Sequence, residues 1–219
     1  MKERVELYTS PISHYCISAE RMLAFKGIPW RSIYTPYHDR HELIRRTHQD
    51  YLPSLLWNDR FVRWDGIAAF LDRKRPTPPL LPPGREALAQ ALENWGHQVL
   101  EERAWRAVVT RVPKLLRTEA ERWVFEELQT RARGPWHVLQ HRRPEYVREL
   151  RPFLDLVNGL VTGREWILDV PSVADFGIYG SLSPWWTVGE RIPASLGALR
   201  AWADRIASLG GPRRSTPGR

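Results

Sequence analysis

Apolar and polar positions alternate over Val5-Glu6-Leu7-Tyr8-Thr9, and then the period changes. Ser10-Pro11 breaks the strand pattern, and Ala19, Met22, Leu23 and Phe25 recur at helical spacing behind Ser13-His14-Tyr15-Cys16 until Gly27. This predicts a strand over 4–9 and a helix over 14–26. The same reasoning predicts a strand at 30–35, a short helix at 40–46, strands at 54–58 and 60–63, and a helix at 65–74. Asn58-Asp59 between the apolar runs 54–57 and 61–64 suits a tight hairpin. Five prolines and a glycine within residues 73–84 exclude helix and central strand there, so the chain divides at this point. Beyond it, helical spacing runs through 85–111, 114–132, 136–160, 172–183 and 194–208, interrupted at Pro113, Gly134-Pro135 and Gly163. Residues 210–219 are polar and rich in breakers, which predicts a flexible tail.

The strongest local pattern is Ser172-Val173-Ala174-Asp175, immediately before an apolar helical run. Ser and Asp three apart form a capping pair: the hydroxyl accepts from the backbone N–H of Asp175, and the carboxylate reaches back to the N–H of Ser172 at the positive helix end. The order βαβ, α, ββα before the break is the thioredoxin-like arrangement. Together with an S/T-x-x-D box on a helix of the second half, it resembles the soluble glutathione transferases over Val5 to about Leu209. The resemblance implies an α+β thioredoxin-like, glutathione-binding domain at 1–74, a Pro-rich linker at 75–84 and an all-helical bundle domain at 85–209.

Composition is compatible with such a globular chain, at 42% hydrophobic and 26% charged residues over 219 positions. No apolar run is long enough for a membrane span, and the start lacks a secretory core, so a cytoplasmic location is the expectation. One cysteine excludes an internal disulfide. The net charge of +8 raises nucleic-acid binding, but +4 falls in residues 1–83 and +4 in the remainder, with no basic stripe and no nucleic-acid motif. A positive surface also attracts a small anion such as glutathione. No metal-binding or phosphate-binding motif is present.

Carried over position by position, the resemblance gives Ser13 the family's place beside the glutathione thiol. A hydroxyl and a helix N-terminus there hold the thiolate, and the same geometry makes Ser13 an N-cap. Pro53 matches the family's cis-proline, so that Leu52 pairs its backbone with the cysteinyl peptide. Asp65-Gly66 stands where the family grips the γ-glutamyl end with an acidic-Ser pair. Asp65 is expected to cap the helix, while the hydroxyl is missing at Gly66. Cys16 belongs to Ser13-His14-Tyr15-Cys16, which resembles a C-x-x-C redox motif whose first cysteine is replaced; on an apolar stripe it reads as core. His14 reads as a solvated first-turn residue or as a tuner of the thiolate.

Of the eleven tryptophans, Trp95, Trp105, Trp185 and Trp186, with Val99, are candidate walls of an electrophile pocket by position. The implied activity is attack of the glutathione thiolate on a small apolar electrophile, in a homodimer. The alternative keeps the fold and discards the reaction, leaving a binding or assembly module. A thiol reductase acting through Cys16 is the third reading.

Overall fold

The computed structural model describes residues 3–212, so most of the expected tail lies outside the described residues. The first half runs β1 (Val5–Thr9), α1 (His14–Phe25), β2 (Arg31–Tyr34), α2 (His41–Thr47), β3 (Ser54–Trp57), β4 (Arg60–Val62) and α3 (Ile67–Lys74). The sheet order is β2-β1-β3-β4, with β1 parallel to β2 and antiparallel to β3. Every residue of the central strand β1 is buried, and Leu7 faces Leu55, which in turn faces Val62. Asn58 and Asp59 both take positive φ, as a two-residue hairpin turn requires. This is the expected thioredoxin-like domain.

After the irregular segment 75–85 come α4 (Glu86–Trp95), α5 (Glu101–Val108), α6 (Glu119–Arg133), α7 (Trp136–Val161), α8 (Val173–Thr187) and α9 (Gly197–Ala207). The segment read as helical over 85–111 is helical from Glu86 onward, with a π-helical turn at Gly96–Leu100 between α4 and α5 and a 3-10 segment at Val109–Leu115. The physical reason for glycine at 96 is close approach, since a Cβ there would lie 3.1 Å from Ile178 Cγ1 and 3.3 Å from its backbone. The helix expected from 114 begins at Glu119 instead, because Thr118 caps it and Glu121 reciprocates in a capping box.

α8 is the hub. Every residue from Val173 to Trp185 is buried, and the capping box at its start forms as expected. Asp175 goes further than a cap: its carboxylate accepts from the N–H of Ser172 (3.0 Å), the Ser172 hydroxyl (3.2 Å), the N–H of Ile167 (2.9 Å) and the Trp202 indole N–H (3.0 Å). Burial pushes this carboxyl above its usual range while those donors pull it back. α8 and α1 pack against each other across the domain boundary, and Gly180 makes this possible: a Cβ there would lie within 2.5 Å of the His14 carbonyl oxygen and would also strike the Ser18 hydroxyl.

The segment between the halves is pinned from the first. The buried Lys26 ammonium lies 2.5 Å from Asp72 and donates to the carbonyls of Arg75 (2.6 Å) and Pro78, while Asp72 accepts from the N–H of Leu80 (2.8 Å). Leu80 is thereby held fully buried. Among the described residues no helix is long and apolar enough to cross a membrane.

Candidate functional site

Ser13 precedes α1 in an extended conformation, and its Oγ accepts from the Cys16 N–H at 3.4 Å. A serine oxygen that accepts at a cap keeps its own hydrogen available for donation. Ser13 opens into a cleft of about 340 Å³ whose walls come from both halves: Thr35, Tyr37, Arg40 and Leu52 on one side, Glu101, Trp105, Gln129 and Arg133 on the other. The Leu52-Pro53 peptide is cis, and neither the N–H nor the C=O of Leu52 has a backbone partner among the described residues. Ser13, Leu52 and Trp105 are therefore brought together.

The remaining expected positions are not. Asp65 lines a neighbouring hollow of about 250 Å³ with Met22, Trp64, Gln90 and Glu93. Between the two hollows runs an aromatic stack: the His14 and Tyr15 rings are 4.0 Å apart, and Tyr15 lies 4.5 Å from Trp64. Asp65 also does not cap α3, which is a correction. It sits in a 3-10 turn, Trp64–Gly66, and its carboxylate is turned to the Arg63 guanidinium, with Nε to Oδ1 at 2.8 Å. Gly66 precedes α3 with φ −101° and open space where a Cβ would stand.

Four of the five expected wall residues lie away from the cleft. Trp95 packs against the core, and Val99 is 42% exposed on the π-helical turn. Trp185 is buried, with its indole donating to the Arg191 carbonyl at 3.2 Å, and Trp186 lines a separate groove with Tyr179, Arg191 and Arg200. The helix-to-helix geometry that decides which indole faces a cleft is not contained in position along the chain.

Behind Ser13 sits a buried cluster. His14 Nδ1 is 3.4 Å from Glu101, His97 Nε2 is 4.0 Å from Glu93, and the two imidazoles are 5.1 Å apart. A separation of 3.4 Å would favour an ion pair, but burial wins: it pushes His14 down to about 3, helped by His97, and His97 down to about 4. Burial raises Glu93 and Glu101 to about 7, with Arg133 opposing at Glu101. His14 is thus neither solvated nor cationic at neutral pH. Cys16 is fully buried and its thiol is pushed up to about 11, which makes it a core residue and a poor nucleophile. Among the described residues no group of three or more His, Cys, Asp or Glu is placed to hold a metal ion.

Of the far wall, sequence reasoning named only Trp105. Glu121 is fully buried at the start of α6, where its carboxylate accepts from Tyr34 Oη (2.6 Å) and from the N–H groups of Tyr37 (2.9 Å), Arg117 (3.0 Å) and Thr118 (3.2 Å). It ties α6 to the loop that carries Tyr37 into the cleft. The Thr-x-x-Glu spacing of 118–121 was the legible signal for this residue.

No family model and no curated protein sequence matches the chain. Solved structures do. Glutaredoxin 2 of Salmonella typhimurium in complex with glutathione superposes with a TM-score of 0.78 at 17% identity over 95% of each chain. A glutathione S-transferase of Ceriporiopsis subvermispora, also in complex with glutathione, gives 0.73 at 18% identity over 94% of each. FzlA from C. crescentus gives 0.69 at 18%, covering 94% of this chain and 88% of that one. The chain therefore has the glutathione-transferase fold.

Proposed function

We propose that the chain binds glutathione with its sulfur at Ser13 and transfers it to a small electrophile. The observation that carries this reading is one cleft in which a cap hydroxyl with a hydrogen to give, at the N-terminus of α1, faces the unpaired backbone of Leu52. The cysteinyl peptide pairs with Leu52 as an added strand, and the sulfur lies at the helix end, where the hydroxyl and the helix dipole favour its anion. Arg40 meets the glycyl carboxylate, and the γ-glutamyl end passes over the His14–Tyr15–Trp64 stack to Asp65 and Gly66. Positioning a deprotonated sulfur supplies most of what such a reaction needs. The same reading makes the chain a homodimer, checked by sedimentation, in the cytoplasm, where glutathione is kept reduced.

Two experiments test it. Calorimetry should show glutathione binding between micromolar and low millimolar, weakened by Asp65→Ala; no heat at several millimolar leaves a non-catalytic binding module, the reading that the Arg63-bound Asp65 and the missing hydroxyl at 66 favour. Ser13→Ala is expected to lower the conjugation rate at neutral pH about tenfold to a hundredfold and to move the rate profile to higher pH, because a tenfold loss matches one pH unit in thiol ionisation. An unchanged profile removes Ser13 from the chemistry.

Gly66→Ser is the converse change. With φ −101° and nothing within 4 Å of the added Cβ, serine fits without clash and restores the absent hydroxyl. One hydrogen bond to a charged end, worth roughly 1 kcal/mol, should tighten glutathione about fivefold in the same titration.

A further inference from the structure

We infer that the electrophile carries an acid group, anchored by Arg133, beside an apolar body that touches Trp105. This rests on the transferase reading and narrows the small apolar electrophile that the sequence suggested. The wall that α5 and α6 present to the cleft is a wired array of side chains. The Gln129 amide oxygen accepts from Trp105 Nε1 (3.0 Å) and from Arg133 Nη1 (3.0 Å), and Arg133 Nη2 donates to Glu102 (3.0 Å). Glu102 also accepts from Arg106 Nε at 2.7 Å, so one carboxylate serves two guanidiniums and the triad keeps a net positive charge. Arg133 Nε is buried without an acceptor among the described residues, so the guanidinium is incompletely satisfied, and the side chain stays partly exposed where it lines the cleft.

The other charges agree. Arg40 on the opposite wall, whose guanidinium donates only to the Asp50 carbonyl among the described residues, is taken by the glycyl carboxylate of glutathione, which leaves the acid of the electrophile to Arg133. Glu101, the acid that lines the cleft itself, sits against His14 and is raised by burial to about 7, so that at neutral pH it carries only part of its charge. Trp105 is buried except for a sliver, is braced edge-on by Phe125 at 6.0 Å, and has its indole N–H already engaged, so the part of it that reaches the cleft is apolar. A guanidinium fixed by two hydrogen bonds selects a planar carboxylate over a neutral molecule of the same shape.

The probe pair is chlorodinitrobenzoate and its methyl ester. In both, the glutathione sulfur forms the C–S bond at the ring carbon that bears chlorine, chloride leaves with the C–Cl electron pair, and the thiol proton goes to solvent. Wild-type protein should show a carboxylate-to-ester ratio of kcat/KM that falls about tenfold in Arg133→Gln, the size expected for a partly exposed charge-assisted contact, and recovers only in part in Arg133→Lys, which keeps the charge but not the planar fork. The ratio is insensitive to a general loss of folded enzyme. The same ratio in all three proteins overturns the inference and leaves the transferase reading standing. Binding of dinitrobenzoate without glutathione, followed by tryptophan fluorescence, is the second arm. Arg133-dependent binding in a protein that gives no heat with glutathione keeps the anion site and removes the transferase; no wild-type binding at millimolar dinitrobenzoate, or binding indifferent to Arg133, overturns the site.

Discussion

Asp175→Ala should lower the free energy of unfolding by about 3–5 kcal/mol, because it leaves the buried N–H groups of Ile167 and Ser172 and the Trp202 indole without an acceptor, at roughly 1–3 kcal/mol each. The loss is concentrated where it does most damage. α8 packs on α1, α4 and α5, so a frayed first turn loosens both domains together. Urea unfolding measures it: a midpoint lowered with the slope unchanged supports the assignment, and a change under about 1 kcal/mol would show that water replaces the carboxylate.

Glu121→Ala is the second large effect, expected at about 3 kcal/mol on the same reasoning, since four donors lose one carboxylate. Its pH dependence has a definite sign. Burial pushes the Glu121 carboxyl up, but the bonds from Tyr34, Tyr37, Arg117 and Thr118 more than offset it, so the folded-state pKa lies below the ordinary glutamate value. A depressed folded pKa stabilises above the unfolded pKa, and the contribution is lost as pH falls through the folded value. The stability gap between wild type and Glu121→Gln should therefore narrow in acid. Because Glu121 also fixes the Tyr37 backbone in the cleft, the variant should bind glutathione or dinitrobenzoate more weakly than its residual folding alone explains; unchanged affinity per folded molecule would show that Tyr37 is held by other means.

What could be seen in the sequence was what neighbouring residues settle among themselves. Ser172 and Asp175 meet because they are three apart on one helix start, Asn58-Asp59 turns because those residues tolerate positive φ, and Cys16 is core because the stripe around it is apolar. Asp65 went astray for the same reason in reverse: a guanidinium two residues away captured a carboxylate that spacing alone assigned to the helix. Of the far wall of the cleft only Trp105 was named, and only as one of five, since Trp105, Gln129 and Arg133 converge once α5 and α6 are packed and nothing in the string distinguishes Trp105 from Trp185. The π-helical turn at Gly96 likewise answers to Ile178, some eighty positions away, and has no local mark.

The bare backbone at Gly180 means that the thioredoxin-like half is not a portable module. The first turn of α1, which sets the direction of Ser13, rests on a helix that begins nearly a hundred residues beyond the end of that half, with no room for even a methyl group between them. A chimera that transplants residues 1–74 onto a foreign helical bundle would inherit the cap hydroxyl but not its aim, unless the recipient offers glycine at the equivalent crossing.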